Sequence, residues 1–106
     1  MSVASLQSLS ERVADAVYEY NGMASSPDQI DEVALFGSYA DGSATEKSDV
    51  DLLVTFRSSG VSLFTLAKAL MVMERHLDKS VDLVQNPLPE GSLLDIRKVV
   101  PLYEGQ

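Results

Sequence analysis

Two stretches of this chain decide its fold: FGSYADG at residues 36–42 and SDVDLLV at residues 48–54. The first closes a short apolar run from Glu32 to Phe36, which is typical of a buried strand, and the chain turns at Gly37. The second belongs to a run from Asp49 to Phe56 in which apolar residues fall at every second position. Because side chains alternate between the two faces of a strand, this run predicts a second strand with one apolar face.

Helical periodicity lies on both sides of these strands. From Leu6 to Tyr20, apolar residues recur at three- and four-residue spacing, with Ser2 or Ser5 available as the N-cap and Gly22 as the stop. After the second strand, a broad apolar stripe from Leu63 through Met71 to Leu77 predicts a long, well-buried helix.

The last third of the chain predicts one more strand and one more helix. Val81 to Val84 has the composition of a short strand, closed by Asn86-Pro87. The apolar residues of a predicted last helix, which ends before Pro101, are Leu93, Leu94, Ile96, Val99 and Val100. This order of elements predicts an α+β fold, a small mixed β-sheet with helices packed mainly on one face. We expect residues 1–106 to form a single domain.

Composition and charge argue against several classes of protein. The 16 acidic and 8 basic residues give a formal net charge of −8, which argues against a protein that binds nucleic acid through clustered Lys and Arg. The absence of cysteine removes disulfides, thiolate zinc sites and cysteine nucleophiles. The N-terminal residues predict no signal peptide, and the apolar run Val61–Met73 is too short to cross a bilayer. We expect a soluble cytoplasmic protein without membrane contact.

Asp49 and Asp51 place two carboxylates in an otherwise apolar strand. Residues two apart in a strand point to the same face with Cα atoms about 6.5–7 Å apart, so the two like charges need solvent or a cation. Asp82 has a similar setting on the third predicted strand, and three carboxylates meet if the two strands are neighbours. Oxygen ligands suit Mg²⁺, and three carboxylates around one or two divalent ions are typical of phosphoryl and nucleotidyl transfer.

Gly37 and Ser38 offer the complementary site for a phosphate. Glycine has no Cβ to keep a phosphate away from the backbone. A serine at the start of a turn or helix donates its hydroxyl beside exposed N–H groups. The sequence therefore predicts a phosphate-binding turn between the first two strands.

Each of these residues also has a purely structural interpretation. Asp49 and Asp51 fit a turn cap followed by a sheet-edge carboxylate, Asp82 fits a solvated strand residue, and Gly37-Ser38 fits a simple turn. The aligned spacing of the motifs favours the functional interpretation.

Four other polar positions are interpreted structurally. His76, the single histidine, lies near the end of the long predicted helix, where a cation suits the helix dipole, and it is assigned a solvated or structural role. Asp41-Gly42 is expected to make the next turn. Arg97 and Lys98 are expected to form a solvated face of the last helix, from which either could reach a phosphate.

The combined pattern resembles a known family signature. Gly37-Ser38, ten further residues and then Asp49-Val50-Asp51 resemble the glycine-serine and Asp-x-Asp signature of the DNA polymerase β nucleotidyltransferase superfamily. GSYADG followed by SDVDLLV resembles its small branch, the minimal nucleotidyltransferase (MNT) proteins. The resemblance covers essentially the whole chain in length and in the order of elements.

This resemblance implies a polymerase β-like nucleotidyltransferase fold and a Mg²⁺-dependent enzyme. By the family pattern, Gly37 and Ser38 bind ATP or another nucleoside triphosphate, and Asp49 and Asp51 ligate Mg²⁺. Asp82 is then the third carboxylate, which ligates the catalytic metal and assists deprotonation of the acceptor. MNT proteins commonly pair with a HEPN-domain ribonuclease, in which the MNT antitoxin adenylylates a tyrosine of the toxin. The implied reaction is therefore AMP transfer from ATP to such a partner, within a homo- or hetero-oligomer.

Two other functions stay open on the sequence. MNT proteins often carry a basic residue where this chain has Asp41, and a carboxylate there adds repulsion to a triphosphate. This departure favours a non-catalytic binding module that neutralises or scaffolds its partner by contact alone, through uncovered apolar surface. A transferase for a small molecule such as an aminoglycoside would use the same motif but needs additional chain for its acceptor pocket.

Overall fold

The structure is a computed structural model that describes residues 5–87 and 98–105. Its helices and strands, in chain order, are α1 (Leu6–Met23), β1 (Ile30–Phe36), α2 (Ser38–Asp41), β2 (Val50–Phe56), α3 (Leu63–Leu77), β3 (Val81–Asn86) and β4 (Val100–Glu104). A single 3-10 turn, Ser26–Asp28, joins α1 to β1. Neither long helix in this part of the chain has the length and apolar character needed to span a membrane.

Both long helices begin at a serine whose side chain caps the first turn. The Ser5 side chain accepts a hydrogen bond of 3.1 Å from the backbone N–H three residues on, and so caps α1. Ser62 caps α3 in the same way, also at 3.1 Å. The α3 helix ends at Leu77 and is followed by Asp78, whose φ of 54° lies in the left-handed region. The α1 helix runs to Met23, one residue past the predicted stop at Gly22.

The strands form one four-stranded sheet in the order β3-β2-β1-β4. The β1 strand is antiparallel to both β2 and β4, whereas β2 and β3 are parallel. On one face of the sheet, α1 and α3 pack against each other and cover the core. The β2 side chains that face this core alternate along the strand as predicted: Val50, Leu52, Val54 and Phe56. The prediction of an α+β fold with a mixed sheet is confirmed.

The α3 helix buries a narrower stripe than its sequence predicted. Its buried residues are Ala69, Val72, Met73 and Leu77. Leu63 is 84% exposed and Met71 is 69% exposed, so the expectation of a broad, well-buried stripe was wrong. Successive residues of an α-helix are turned by about 100°, and this rotation carries Leu63 and Met71 away from the sheet.

The C-terminal end also differs from the prediction. Val100, predicted to be helical, begins β4, and Val99 lies outside regular structure. The β4 strand continues through Pro101, which a sheet tolerates because β4 is an edge strand with a register shift in its pairing to β1. The Leu102 side chain is buried and joins the core. The other residues of the predicted last helix, Leu93, Leu94 and Ile96, lie outside the described residues.

Candidate active site

Asp51 and Asp82 lie side by side on neighbouring strands. They are register partners in the parallel β2–β3 pair, so their side chains point to the same face of the sheet. Val50 and Leu52, on either side of Asp51, are buried on the helix-covered face. The two carboxylates therefore lie on the opposite face, with Asp51 half-buried and Asp82 exposed.

Asp49 is exposed and lies one residue before β2 begins. The backbone next to it is fixed, because the Val50 N–H donates a 2.9 Å hydrogen bond to the carbonyl of Ser80. On its other side, the Ser48 side chain accepts a 2.9 Å hydrogen bond from the N–H of Thr45. This loop delivers Asp49 to the same end of β2 as Asp51.

The charges of Asp82 and Asp49 act on the carboxyl group of Asp51. Burial raises the pKa of the Asp51 carboxyl group, and the negative charges of Asp82 and then Asp49 raise that pKa further. Like charges that raise a pKa disfavour the ionised form of the group. The repulsion that the sequence predicts between these residues is therefore present around Asp51.

Gly37 lies against the Asp51 side chain. Its φ of 74° and ψ of −151° belong to a region of backbone conformation that is almost restricted to glycine. A Cβ built on Gly37 would lie 2.1 Å from Oδ2 of Asp51 and 2.9 Å from its Cγ. Phe36, the residue before Gly37, is the register partner of Asp51 across β1 and β2. The missing side chain of Gly37 thus makes room for a predicted metal ligand.

Ser38 opens the short helix α2 directly after Gly37. The Ser38 carbonyl accepts hydrogen bonds from the N–H groups of Ser43 at 2.9 Å and Ala44 at 3.1 Å. The Gly37 carbonyl accepts from Ala40 at 3.0 Å and Asp41 at 3.1 Å. These bonds fold the polar segment after β1 into a tight turn, at the position where the sequence predicts one.

Asp41 makes the predicted turn. Its Oδ1 accepts hydrogen bonds from the Ser43 N–H at 2.9 Å and from the Ser43 hydroxyl at 2.6 Å. These bonds lower the pKa of Asp41, and the positive charge of Lys98 lowers it further. Gly42 follows with a φ of 86° and ends α2. The Asp41 carboxylate is thus bound to its own turn.

The predicted ligands fit a divalent cation in their chemistry. Oxygen atoms from neighbouring carboxylates are what Mg²⁺ prefers, and a cation would offset the repulsion around Asp51. Within residues 5–87 and 98–105, no group of three or more His, Cys, Asp or Glu side chains is drawn together closely enough to hold a metal ion. Asp51 and Asp82 share a face of the sheet, but the three carboxylates are not preassembled as a ligand set.

His76 lies away from these residues, between the two long helices. Its Nε2 is 2.9 Å from Oε1 of Glu19 on α1. Arg75 donates to both carboxylate oxygens of Glu19, at 3.1 Å from Nη1 and in a shorter contact from Nη2. These contacts agree with the structural role assigned to His76.

The sequence predicts a turn at Gly37, either a phosphate-binding turn or a simple one, but not the contact of Gly37 with Asp51. The signal was present in the spacing of the motifs, since β1 ends at Phe36 and β2 begins at Val50. Antiparallel pairing of strands with these ends brings the start of one close to the end of the other. Only the φ of Gly37 and the side-chain direction of Asp51 show that the two meet.

The sequence of this chain matches a known family of domains. A family model described as a nucleotidyltransferase domain matches residues 17–101. A protein of Methanocaldococcus jannaschii, provisionally named a protein adenylyltransferase, is 37% identical over 57 residues. That match covers 53% of this chain and 57% of the relative, so the chain spans little more than half the length of the curated protein.

Solved structures show the same fold. A chain of a toxin–antitoxin complex with AMP-PNP superposes with a TM-score of 0.69 at 19% identity, over 92% of this chain and 74% of that one. A complex of a tri-AMPylated HEPN toxin with an MNT antitoxin from Shewanella oneidensis gives 0.63 at 17% identity, over 95% and 73%. At these identities the likeness shows the fold alone. A protein provisionally named a minimal nucleotidyltransferase is 30% identical, with a TM-score of 0.58 over 85% of this chain and 87% of its own.

Proposed function

This chain belongs to the nucleotidyltransferase domain family, and we propose that it transfers AMP from ATP to a hydroxyl group of a protein partner. The main support for the proposal is the position of Asp51. Its side chain lies against Gly37, and its register partner on the neighbouring strand is Asp82. This arrangement brings a turn suited to phosphate next to carboxylates suited to a divalent cation.

The proposed reaction forms one phosphorus–oxygen bond and breaks another. The acceptor hydroxyl oxygen attacks the α-phosphorus of the nucleotide, the bond to the bridging oxygen of the β-phosphate breaks, and pyrophosphate leaves. The acceptor loses its proton, and exposed Asp82 is the carboxylate that we assign to assist this loss. Gly37 and Ser38 hold the triphosphate of the nucleotide.

Asp49, Asp51 and Asp82 are the residues that would hold Mg²⁺. When bound, the metal supplies positive charge that neutralises the attacking and leaving oxygens. The pKa of Asp51, which is raised by its own burial and by the two other carboxylates, supports a cation at this position. With the ligands not preassembled, we expect Mg²⁺ and the nucleotide to bind together, the phosphates supplying oxygen ligands of their own.

A protein acceptor is supported by the relatives. The curated relative is provisionally named a protein adenylyltransferase, and one neighbour in fold is a complex of an AMPylated HEPN toxin and an MNT antitoxin. We therefore propose that the partner is a HEPN-domain ribonuclease and that this chain acts as its antitoxin in the cytoplasm, where ATP is available.

Mass spectrometry of the partner tests the proposal. The protein is incubated with ATP, Mg²⁺ and the product of the neighbouring gene, and one or more AMP masses should be added to that partner. The D49N/D51N double variant should add none, whereas a D15N/E11Q variant, which removes two exposed carboxylates of α1, should transfer normally. No addition with any nucleoside triphosphate would overturn the enzymatic proposal.

The same variants decide the binding-module alternative. Exposed Leu63, Phe64 and Met71 on α3 provide apolar surface for contact with a partner. If D49N/D51N neutralises the ribonuclease as well as the unaltered protein does, contact alone is sufficient and the carboxylates are not required. If neutralisation is lost together with AMP transfer, the enzymatic function is supported.

A further inference from the structure

Lys98 lies at the edge of the sheet beside the Gly37 turn. In the antiparallel β1–β4 pair, Val100 is the register partner of Leu35. Lys98 lies two residues before β4 begins, and Gly37 follows directly after β1 ends. Neighbouring strands are about 5 Å apart, so the start of β4 lies close to the end of β1, where the turn begins. Asp51 lies against Gly37 from β2, which is on the opposite side of β1 from β4.

The charge of Lys98 reaches the far end of the same turn. Lys98 is exposed, and its charge contributes to the lowered pKa of Asp41, the last residue of α2. Asp41 is already engaged by two hydrogen bonds from Ser43, and no ion pair ties Lys98 to a carboxylate among the described residues. The ammonium group therefore stays available at the turn between Gly37 and Asp41.

A nucleoside triphosphate at this turn needs such a cation. Four acidic residues, Asp41, Asp49, Asp51 and Asp82, lie in the turn or beside it, and the whole chain has a net charge of −8. A lysine binds phosphate as a point charge on a flexible four-carbon stem. We propose that Lys98 binds the phosphates of the nucleotide at the Gly37 turn, a role that rests on the proposed function of this site.

Binding of AMP-PNP with Mg²⁺ to the full chain tests this role by calorimetry at low salt. The K98A variant should bind about tenfold more weakly, because a hydrogen bond between charged groups is lost. K98R should bind nearly as well as the unaltered protein.

The matched control is K68A, because Lys68 lies on α3 beside a surface groove lined by Met23 and Met71. The K68A variant should bind the nucleotide as tightly as the unaltered protein. K47A removes an exposed lysine two residues before Asp49 and should have a smaller effect than K98A.

A charge introduced at Asp41 gives a second, independent readout. In the K98A background, D41R removes a carboxylate and adds a cation at the end of α2, and it should restore most of the lost affinity. In steady-state transfer, K98A should raise the KM for ATP with little change in kcat, as expected for a contact made equally in ground and transition states. A merely structural role for Lys98 would not be rescued by D41R.

The outcomes separate this inference from the proposed function. If the unaltered protein binds the nucleotide and transfers AMP while K98A binds as tightly as K68A, the role of Lys98 is wrong and the function stands. If K47A weakens binding as much as K98A, general charge rather than the position of Lys98 accounts for the effect, and the inference is also wrong. If the unaltered protein binds no nucleotide, both proposals fail together.

Discussion

The side chain of Asp51 occupies the position that a Cβ atom on Gly37 would need, so only glycine fits there. A Cβ on residue 37 would lie 2.1 Å from Oδ2 of Asp51, well inside van der Waals contact. The Gly-Ser turn and the Asp-x-Asp strand are thus packed together as one unit. This contact gives a structural reason for glycine at this position that is independent of any bound phosphate.

The first prediction is that G37A removes activity through Asp51. The substitution strains a backbone conformation that costs a non-glycine residue about 1–3 kcal/mol, and the new Cβ forces the Asp51 carboxylate away. We expect a lower melting temperature and the loss of AMP transfer, measured by thermal unfolding and by partner mass.

The matched control for G37A is G42A. Gly42 also has a positive φ, 86°, but a Cβ there meets nothing within 4 Å. G42A should therefore lose only about 1–2 kcal/mol of stability and keep its transfer activity below its melting temperature. Equal loss of activity in both variants would show that backbone strain, not the Asp51 contact, is responsible.

The second prediction is that D51N stabilises the metal-free protein while it removes transfer. Asp51 has a raised pKa in the folded state, chiefly through burial and then through the charges of Asp82 and Asp49. A carboxyl group whose folded pKa is raised makes the ionised protein less stable above that pKa. At pH 7 without metal, D51N should melt at a higher temperature than the unaltered protein.

The stability difference of D51N should depend on pH and on metal. Below the ordinary aspartate pKa of 3.8, Asp51 is protonated in both folded and unfolded chains, and the two proteins should melt alike. Added Mg²⁺ with AMP-PNP should stabilise only the unaltered protein. A D51N variant that is less stable than the unaltered protein at pH 7 without metal would contradict this account.

The strand that carries the carboxylates was predictable because its pattern has one interpretation. Alternation from Val50 to Phe56 defines both the strand and the face on which Asp51 lies. The parallel neighbour that brings Asp82 beside it agrees with a helix connecting two strands, as in a βαβ unit. The sequence therefore predicted the candidate residues and the face of Asp51, and it left open whether Asp82 is a neighbour of Asp51.

The remaining features depend on tertiary context. Val99 to Leu102 is too short a run to distinguish strand from helix by periodicity, and pairing with β1 makes β4 a strand despite Pro101. The position of Lys98 near the turn depends on β4. Because the sequence predicted a helix there, Lys98 was expected on a solvated helix face instead. The packing of Asp51 on Gly37 depends on a side-chain direction that no local pattern encodes.

The third prediction concerns the contact between the two long helices. Hydrogen bonds from Arg75 and then His76 lower the pKa of Glu19 to about 2, from an ordinary value of 4.5. A carboxyl group with a lowered folded pKa adds stability above its unfolded pKa and loses it as the pH falls towards its folded pKa. E19Q should thus be less stable than the unaltered protein at pH 7, with the difference shrinking between about pH 4.5 and about pH 2.

Urea unfolding of the E19Q and E11Q variants separates the contribution of Glu19 to the free energy of unfolding from that of other carboxylates. E11Q removes an exposed carboxylate from the same helix and serves as the reference for a lost charge. The difference between E19Q and E11Q should be largest near neutral pH and vanish near pH 2. High salt should reduce this difference, because both Arg75 and Glu19 are partly exposed. A difference that does not change with pH would rule out the ionised Glu19 contact as its source.

The fourth prediction is that Tyr39 anchors α2 through its ring and not through its hydroxyl group. The Tyr39 side chain is buried in the core cluster, and its hydroxyl makes no hydrogen bond within the described part of the chain. A buried hydroxyl without a partner costs free energy, so Y39F should fold with equal or greater stability and bind AMP-PNP normally.

The Y39A variant leaves a cavity in the core, and its free energy of unfolding should fall by about 3–5 kcal/mol. Because Ser38 precedes this anchor directly, Y39A should also weaken AMP-PNP binding at temperatures where it is still folded. Calorimetry and thermal unfolding of the pair check both effects, and a Y39F variant as damaged as Y39A would assign the hydroxyl a role of its own.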